Sequence, residues 1–201
     1  MLLRETPLRG AFLVDIEPHR DSRGFFARTW CSREFTAHGL SGALVQTSIS
    51  RNERRGTIRG MHTQLPPSNE AKLVRCTRGA IYDVIIDLDP QSPSYLLHFG
   101  VELSADKYNA LYIPPLMLHG FQTLQDQSEV LYQMTDFYAP ELGYGVRWND
   151  PAFAIAWPIR DPITILARDG EYPDFAGDRY LRELDAARAR ASATRHPEPA
   201  P

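Results

Sequence analysis

The feature that most constrains this chain is a succession of short apolar runs, each of strand length, separated by Gly, Pro, Asn and Asp. AFLVDIEP, GFFARTW, ALVQTSIS, TIRGMHTQ, KLVRCT, AIYDVIIDL, YLLHFGVEL, NALYIPP, HGFQTL, EVLYQMT and GVRWND follow one another between residues 11 and 150. Several alternate with a period of two, the signature of a strand with one buried face. In KLVRC, Lys72, Val74 and Cys76 share a face; in EVLYQM, Val130, Tyr132 and Met134 do. Strands this numerous and closely spaced bury their apolar faces only by packing two sheets or closing one on itself. TRGA, DPQSPS and LSADK supply turn residues between them. The expected class is an all-β sandwich or barrel.

Helical patterns are few. SREFTAHG at 32–39 carries a Ser cap and a closing Gly. GDRYLRELDAARARA at 177–191 places Leu181, Leu184 and Ala187 on one side and predicts a C-terminal helix. The polar, Pro-rich stretch at 192–201 is expected to be a disordered tail. Residues 1–176 then form a single domain.

Charge and cysteine content narrow the function classes. A net charge of −3 gives no global attraction to nucleic acid or an anionic membrane surface. No apolar run approaches the roughly eighteen residues of a membrane span. MLLRETPLRG lacks the apolar stretch of a signal peptide. Cys31 and Cys76, with no CxxC spacing, make neither a disulfide framework nor a zinc site. These observations lead us to expect a soluble cytoplasmic protein.

The chemistry concentrates in GTIRGMHTQLPPSNEAK, residues 56–72. Here Arg59, His62 and Lys72 set a proton-transfer group between two fixed cations. That combination suits an anionic substrate that must lose a proton. His119 in PPLMLHGF and Tyr132 in EVLYQMTDFY lie further along. A single His or Tyr on a strand is ordinarily a packing residue. The functional reading therefore depends on these groups meeting in one pocket.

The two His segments resemble the paired motifs of the cupin superfamily. Gly56 precedes His62 by six residues and Pro114 precedes His119 by five. A metal-binding cupin would place a second His where this chain has Gln64, and Glu70 is shifted from its usual spacing. Two imidazoles and a neutral amide suit a divalent transition metal poorly. The motif comparison therefore implies a cupin-type jelly roll with no metal ligand set.

A closer resemblance spans residues 6–175. DSRGFFARTW, IRGMHTQLPP, EAKLVRCTRGAIYDVIIDL, ELSADKYNALYIPP, LHGFQTL, EVLYQMTDFYAPE, WNDPAFAIAWP and ILARDGEYPDF are similar, in order and spacing, to segments of the dTDP-4-dehydrorhamnose 3,5-epimerase family. That resemblance implies epimerisation of a nucleotide-linked 4-keto-6-deoxysugar without metal or redox cofactor. The C4 ketone acidifies the bonds at C3 and C5. A base removes a proton, a cation holds the enolate, and an acid reprotonates from the opposite face. In the family register His62 is the base, Asp169 its orienting carboxylate, Lys72 the enolate stabiliser and Tyr132 the acid. A diphosphate calls for Arg or Lys, and Arg59 and Arg23 are the best candidates; Phe26, Gln46, His119 and Tyr138 correspond to other pocket positions. His119 could bond the sugar or the dyad, or only support the pocket. The resemblance also implies a homodimer in which Arg23 and Phe26 act on the partner's site.

Three positions depart from the family pattern. Arg28 stands where the family usually has Glu. Ser48 follows Gln46 where Asn is usual, and Asn52 is a candidate replacement for that amide. These positions face the nucleotide in the family, so the identity of the base stays open. Thr63 follows the base where an aromatic residue is common; this opens space near the dyad and bears on which carbons are inverted. The alternatives are an epimerase acting at one carbon or on another nucleotide, and a cupin that binds a nucleotide sugar without catalysis.

Overall fold

The computed structural model describes residues 1–195. The chain begins with β1 (Leu2–Glu5), β2 (Phe12–Asp15) and a small hairpin, β3 (His19–Asp21) and β4 (Gly24–Phe26). Next come α1 (Ser32–Ala37), β5 (Gln46–Asn52), β6 (Thr57–Gln64), β7 (Lys72–Arg78) and β8 (Ala80–Asp87). They are followed by β9 (His98–Ser104), β10 (Ala110–Ile113), β11 (Met117–Thr123) and β12 (Ser128–Met134). The chain continues through β13 (Gly143–Gly145), β14 (Thr164–Ile165), the single turn α2 (Ala167–Gly170) and α3 (Gly177–Arg195). One sheet has the order β1-β2-β10-β7-β12-β5, the other β13-β6-β11-β8-β9, with β14 pairing parallel to β6. This is the expected jelly-roll sandwich.

The main core lies between the sheets. Val74, Cys76, Leu111, Ile113 and Val130 from the first meet Ile81, Ile85, Leu103, Met117 and Phe121 from the second. Both outer faces are covered as well. Trp30, Phe35 and Leu40 cover Val14, Leu73 and Tyr112. The segment after β13 and α3 cover Met61, Val84, Ile86 and Leu118. Covering on both sides explains why AIYDVIIDL reads as a nearly unbroken apolar run. The two carboxylates inside that run, Asp83 and Asp87, are both buried.

The structure revises several local expectations. Only Gly24–Phe26 of GFFARTW is strand, and Trp30 beyond it packs over the first sheet. GVRWND leaves the sheet after Gly145. Ser32 is the first residue of α1 and Cys31 precedes it without a side-chain cap. The helix does close on Gly39, at φ +73°, with Leu40 N–H bonded to Phe35 O and Gly39 N–H to Thr36 O. In α3 the buried residues are Tyr180, Leu184 and Ala187, whereas Leu181 is 38% exposed. Tyr180 takes the core position because its hydroxyl donates to Leu88 O at 2.6 Å while its ring packs on Tyr144. Leu184 alone contributes about 1.5–3 kcal/mol by burial. The helix continues to Arg195, through the start of the stretch expected to be a tail. Residues 196–201 lie outside the described residues.

Candidate active site

The site is built on the β6–β11 pair. His62 and His119 are direct partners across it. Gly60 and Gly120 make this pairing close. A Cβ on Gly60 would stand 2.5 Å from Gly120 Cα, and one on Gly120 would stand 2.8 Å from Arg59 O and 3.1 Å from Gly60 Cα. Gly60 also has φ +121°, a conformation open to glycine alone. The register shifts between His119 and Phe121, so that Arg59 pairs with Phe121. Arg59 and His62, three residues apart, would otherwise lie on opposite faces of the strand; with the shift both line one cavity.

That cavity, about 280 Å³, is lined by Ser50, Arg59, His62, Lys72, His119, Phe121, Tyr132, Leu166, Arg168 and Asp169. A second lobe of about 200 Å³ shares His62, Lys72 and Arg168 and adds Thr63, Gln64, Glu70, Tyr138 and Tyr172. His62 comes from the second sheet; Lys72 and Tyr132 come from the first. The cleft therefore opens between the sheets, with the imidazole on one wall and the phenol on the other.

β14 and α2 carry Asp169 to the edge of β6, where it is 3% exposed. Its Oδ1 accepts from His62 Nε2 at 3.1 Å and from Arg168 Nε at 3.2 Å; its Oδ2 accepts from Gly60 N at 3.4 Å. Burial acts to raise the Asp169 carboxyl, but the hydrogen bonds from His62, Gly60 and Arg168 prevail and hold it below its ordinary value. An ionised carboxylate only accepts, so Nε2 carries the imidazole hydrogen and the basic lone pair sits on Nδ1.

Tyr132 has the opposite environment. Burial, then the charge of Asp83, pushes its phenol far up, against smaller opposing effects of Arg59 and Ser50. It stays protonated and available as a donor. Its ring is held by His119, edge-on with centroids 6.0 Å apart, and by Phe121 at 6.5 Å. His119 does not join the His62–Asp169 pair. It forms a second buried His–carboxylate pair, Nε2 to Asp83 Oδ1 at 2.5 Å, and supports Tyr132 from behind.

Lys72 is paired with Glu70, both largely buried. Arg59 donates from Nε to Asn52 Oδ1 at 2.8 Å. Asn52 is itself held by Ser50 O and Ser128 O, so this amide aims a cation into the cleft. Gln46 accepts from Tyr138 N at 2.8 Å. Gln64 accepts from Ala139 N at 2.6 Å and donates to Phe137 O. Its amide is thus spent on the loop that carries Tyr138. Among the described residues no group of three or more His, Cys, Asp or Glu is arranged to hold a metal ion.

Four of the sequence candidates, Gln46, Arg23, Phe26 and Arg28, do not line this cleft in the single chain. Arg23 is 87% exposed on the β3–β4 turn and pairs with Asp21 at 2.6 Å. Phe26, on the same hairpin, is 77% exposed. Arg28 pairs with Glu34 at 2.8 Å, beside the N-terminal amine. Thr63 pairs with Tyr144 whereas His62 pairs with Gly145, so the two side chains alternate along β6, and Thr63 contributes to the wall of the second lobe beside His62. Sequence reasoning missed Asp83, Arg168 and Tyr172. Only Arg168 and Tyr172 carried a local signal, flanking Asp169 in ARDGEYP.

The model of the family dTDP-4-dehydrorhamnose 3,5-epimerase matches residues 5–177. A dTDP-4-dehydrorhamnose 3,5-epimerase from Pseudomonas aeruginosa is 39% identical over 157 residues, 78% of this chain and 86% of that protein. The crystal structure of a dTDP-4-dehydrorhamnose 3,5-epimerase from Bacillus anthracis, with TDP and PPi bound, is similar with a TM-score of 0.82 and 36% identity over 87% of this chain and 99% of that one. A 3'-monoepimerase from Streptomyces bikiniensis, in complex with dTDP-quinovose, is similar with a TM-score of 0.79 and 29% identity over 94% of this chain and 98% of that one.

Proposed function

This chain belongs to the dTDP-4-dehydrorhamnose 3,5-epimerase family, and from that premise we propose that it epimerises a nucleoside-diphosphate-linked 4-keto-6-deoxysugar with His62 as base and Tyr132 as acid. One observation carries the reading: His62, Asp169, Lys72, Tyr132 and Arg59 line one cavity, with base and acid on opposite sheets. A sugar ring lying between the sheets presents one face to each.

In the proposed reaction His62 Nδ1 takes the proton from the carbon next to the ketone. The electron pair moves onto the C4 oxygen, where the Lys72 ammonium stabilises the enolate. Tyr132 then delivers its proton to the opposite face of that carbon and the ketone re-forms. The high pKa of the phenol keeps the proton in place until a basic carbon arises. Asp169 stabilises the imidazolium as it forms. The cations Arg59 and Arg168 at the cleft suit the diphosphate. We further propose a homodimer, in which the exposed β3–β4 hairpin brings Arg23 and Phe26 to the partner's cleft.

The number of inverted carbons is a second reading, favoured by the similarity to a monoepimerase as well as to 3,5-epimerases. One experiment addresses both. The wild-type protein is incubated in D2O with dTDP-, CDP- and GDP-linked 4-keto-6-deoxysugars and followed by NMR. Deuterium at C3 and C5 of the dTDP sugar is expected; label at one carbon would establish the monoepimerase. Failure to label any of the three sugars would sink the reading.

A further inference from the structure

The reaction described above leaves Tyr172 without a role, although its ring lies against the base. It meets the His62 imidazole edge-on, with centroids 5.6 Å apart and an interplanar angle of 66°. The tip of the same ring rests on Gly145, the strand partner of His62. A Cβ at Gly145 would stand 2.5 Å, 2.7 Å and 2.8 Å from three atoms of that ring. Gly145 is therefore a seat for Tyr172. The ring also walls the second lobe with Tyr138 and Arg168.

Asp169 grips the imidazole at Nε2 only. One hydrogen bond fixes a point on the ring and leaves the ring free to rock about it. Tyr172 supplies a second, independent contact on the imidazole, from the side of the second lobe.

We propose that Tyr172, seated on Gly145, is a positioning residue that fixes the plane of the His62 imidazole and sets which sugar carbon comes under Nδ1. This rests on His62 being the base. It adds that the ratio of reaction at C3 to reaction at C5 is controlled from the segment after α2, and by aromatic packing rather than by the tyrosine hydroxyl.

The test is a double-mutant cycle read by deuterium exchange at the two carbons in D2O. Tyr172→Phe keeps the ring and should keep the wild-type C3-to-C5 ratio and kcat. Tyr172→Ala should lower kcat by on the order of 10- to 100-fold, the cost of a misplaced reacting group, and change the ratio. Gly145→Ala should shift the ratio in the same direction by displacing the ring. Added to Tyr172→Ala, it should do nothing more, because the ring it displaces is gone. A wild-type ratio and kcat in Tyr172→Ala would overturn the proposal, and so would additive effects of the two substitutions. A shifted ratio in Tyr172→Phe would overturn the claim that the ring, and not the hydroxyl, does the positioning. Loss of exchange in every protein, wild type included, would instead remove the epimerase reading on which the proposal stands.

Discussion

Replacing Asp169 by Asn keeps the shape of the side chain and removes its charge. In the proposed reaction His62 gains a positive charge as it takes the proton, 3.1 Å from Asp169 Oδ1. At an effective dielectric of about 20, two unit charges at that distance attract by about 5 kcal/mol. The His62 side chain is 35% exposed, and water screening with the retained neutral hydrogen bond reduces the loss to about 2–3 kcal/mol. At about 1.4 kcal/mol per factor of ten, kcat falls roughly 30- to 150-fold. A second effect adds to this. An Asn that turns its NH2 toward Nε2 moves the ring proton to Nδ1, the nitrogen that must be basic, and carries the loss toward roughly 10³-fold. Asp169 does not touch the substrate in this account, so KM should change little. Steady-state conversion of the nucleotide-linked keto sugar, with NMR of the product, reads both constants. A folded Asp169→Asn protein with kcat within about threefold of wild type would refute this assignment of electrostatic stabilisation to Asp169.

The same carboxylate gives a pH signature. Its pKa is depressed in the folded protein, so the stability it brings is fully present above the ordinary value of 3.8 and is lost as pH falls through the lowered folded value. The Tm gap between wild type and Asp169→Asn should be wide at neutral pH and close below pH 3.8, as thermal melts across that range would show. Tyr132→Phe keeps the ring between His119 and Phe121. It should still wash deuterium into the substrate from the His62 side while inversion falls about 10²–10⁴-fold; full inversion in that variant would return Tyr132 to a packing role. Gly120→Ala would place a Cβ 2.5 Å from Met61 Sδ and 2.8 Å from Arg59 O. Forcing β6 and β11 apart should cost about 1–3 kcal/mol, measured by chemical denaturation, and should lower kcat because both histidines ride on that pair.

The fold class was legible because it rests on strand-length runs, and TIRGMHTQ matches β6 from Thr57 to Gln64. His62, Lys72, Tyr132 and Asp169 were legible through motifs, but their meeting in one cavity depends on pairing between strands distant in sequence. The glycine pair Gly60 and Gly120, and the register shift that turns Arg59 inward, could not be read from alternation, which assumes a regular strand. Asp83 was hidden for the same reason. It sits in an apolar run with nothing in the local sequence to mark it, and only the β8–β11 pairing brings it to His119. Leu181 and Tyr180 exchanged roles in α3 because a tyrosine with a backbone acceptor can be buried as readily as a leucine. Arg23, Phe26 and Arg28 were read from motif positions, and a motif position does not say whether its side chain reaches the cleft of its own chain, which these three do not.

The central claim is that His62 removes the proton next to the sugar ketone. Deuterium exchange into a dTDP-linked 4-keto-6-deoxysugar in D2O, compared between wild type and His62→Ala at matched, verified folding, tests it most directly. The account predicts label in the wild-type reaction and a loss of about 10²–10⁴-fold in the exchange rate of the variant. Exchange at the wild-type rate in folded His62→Ala would contradict it.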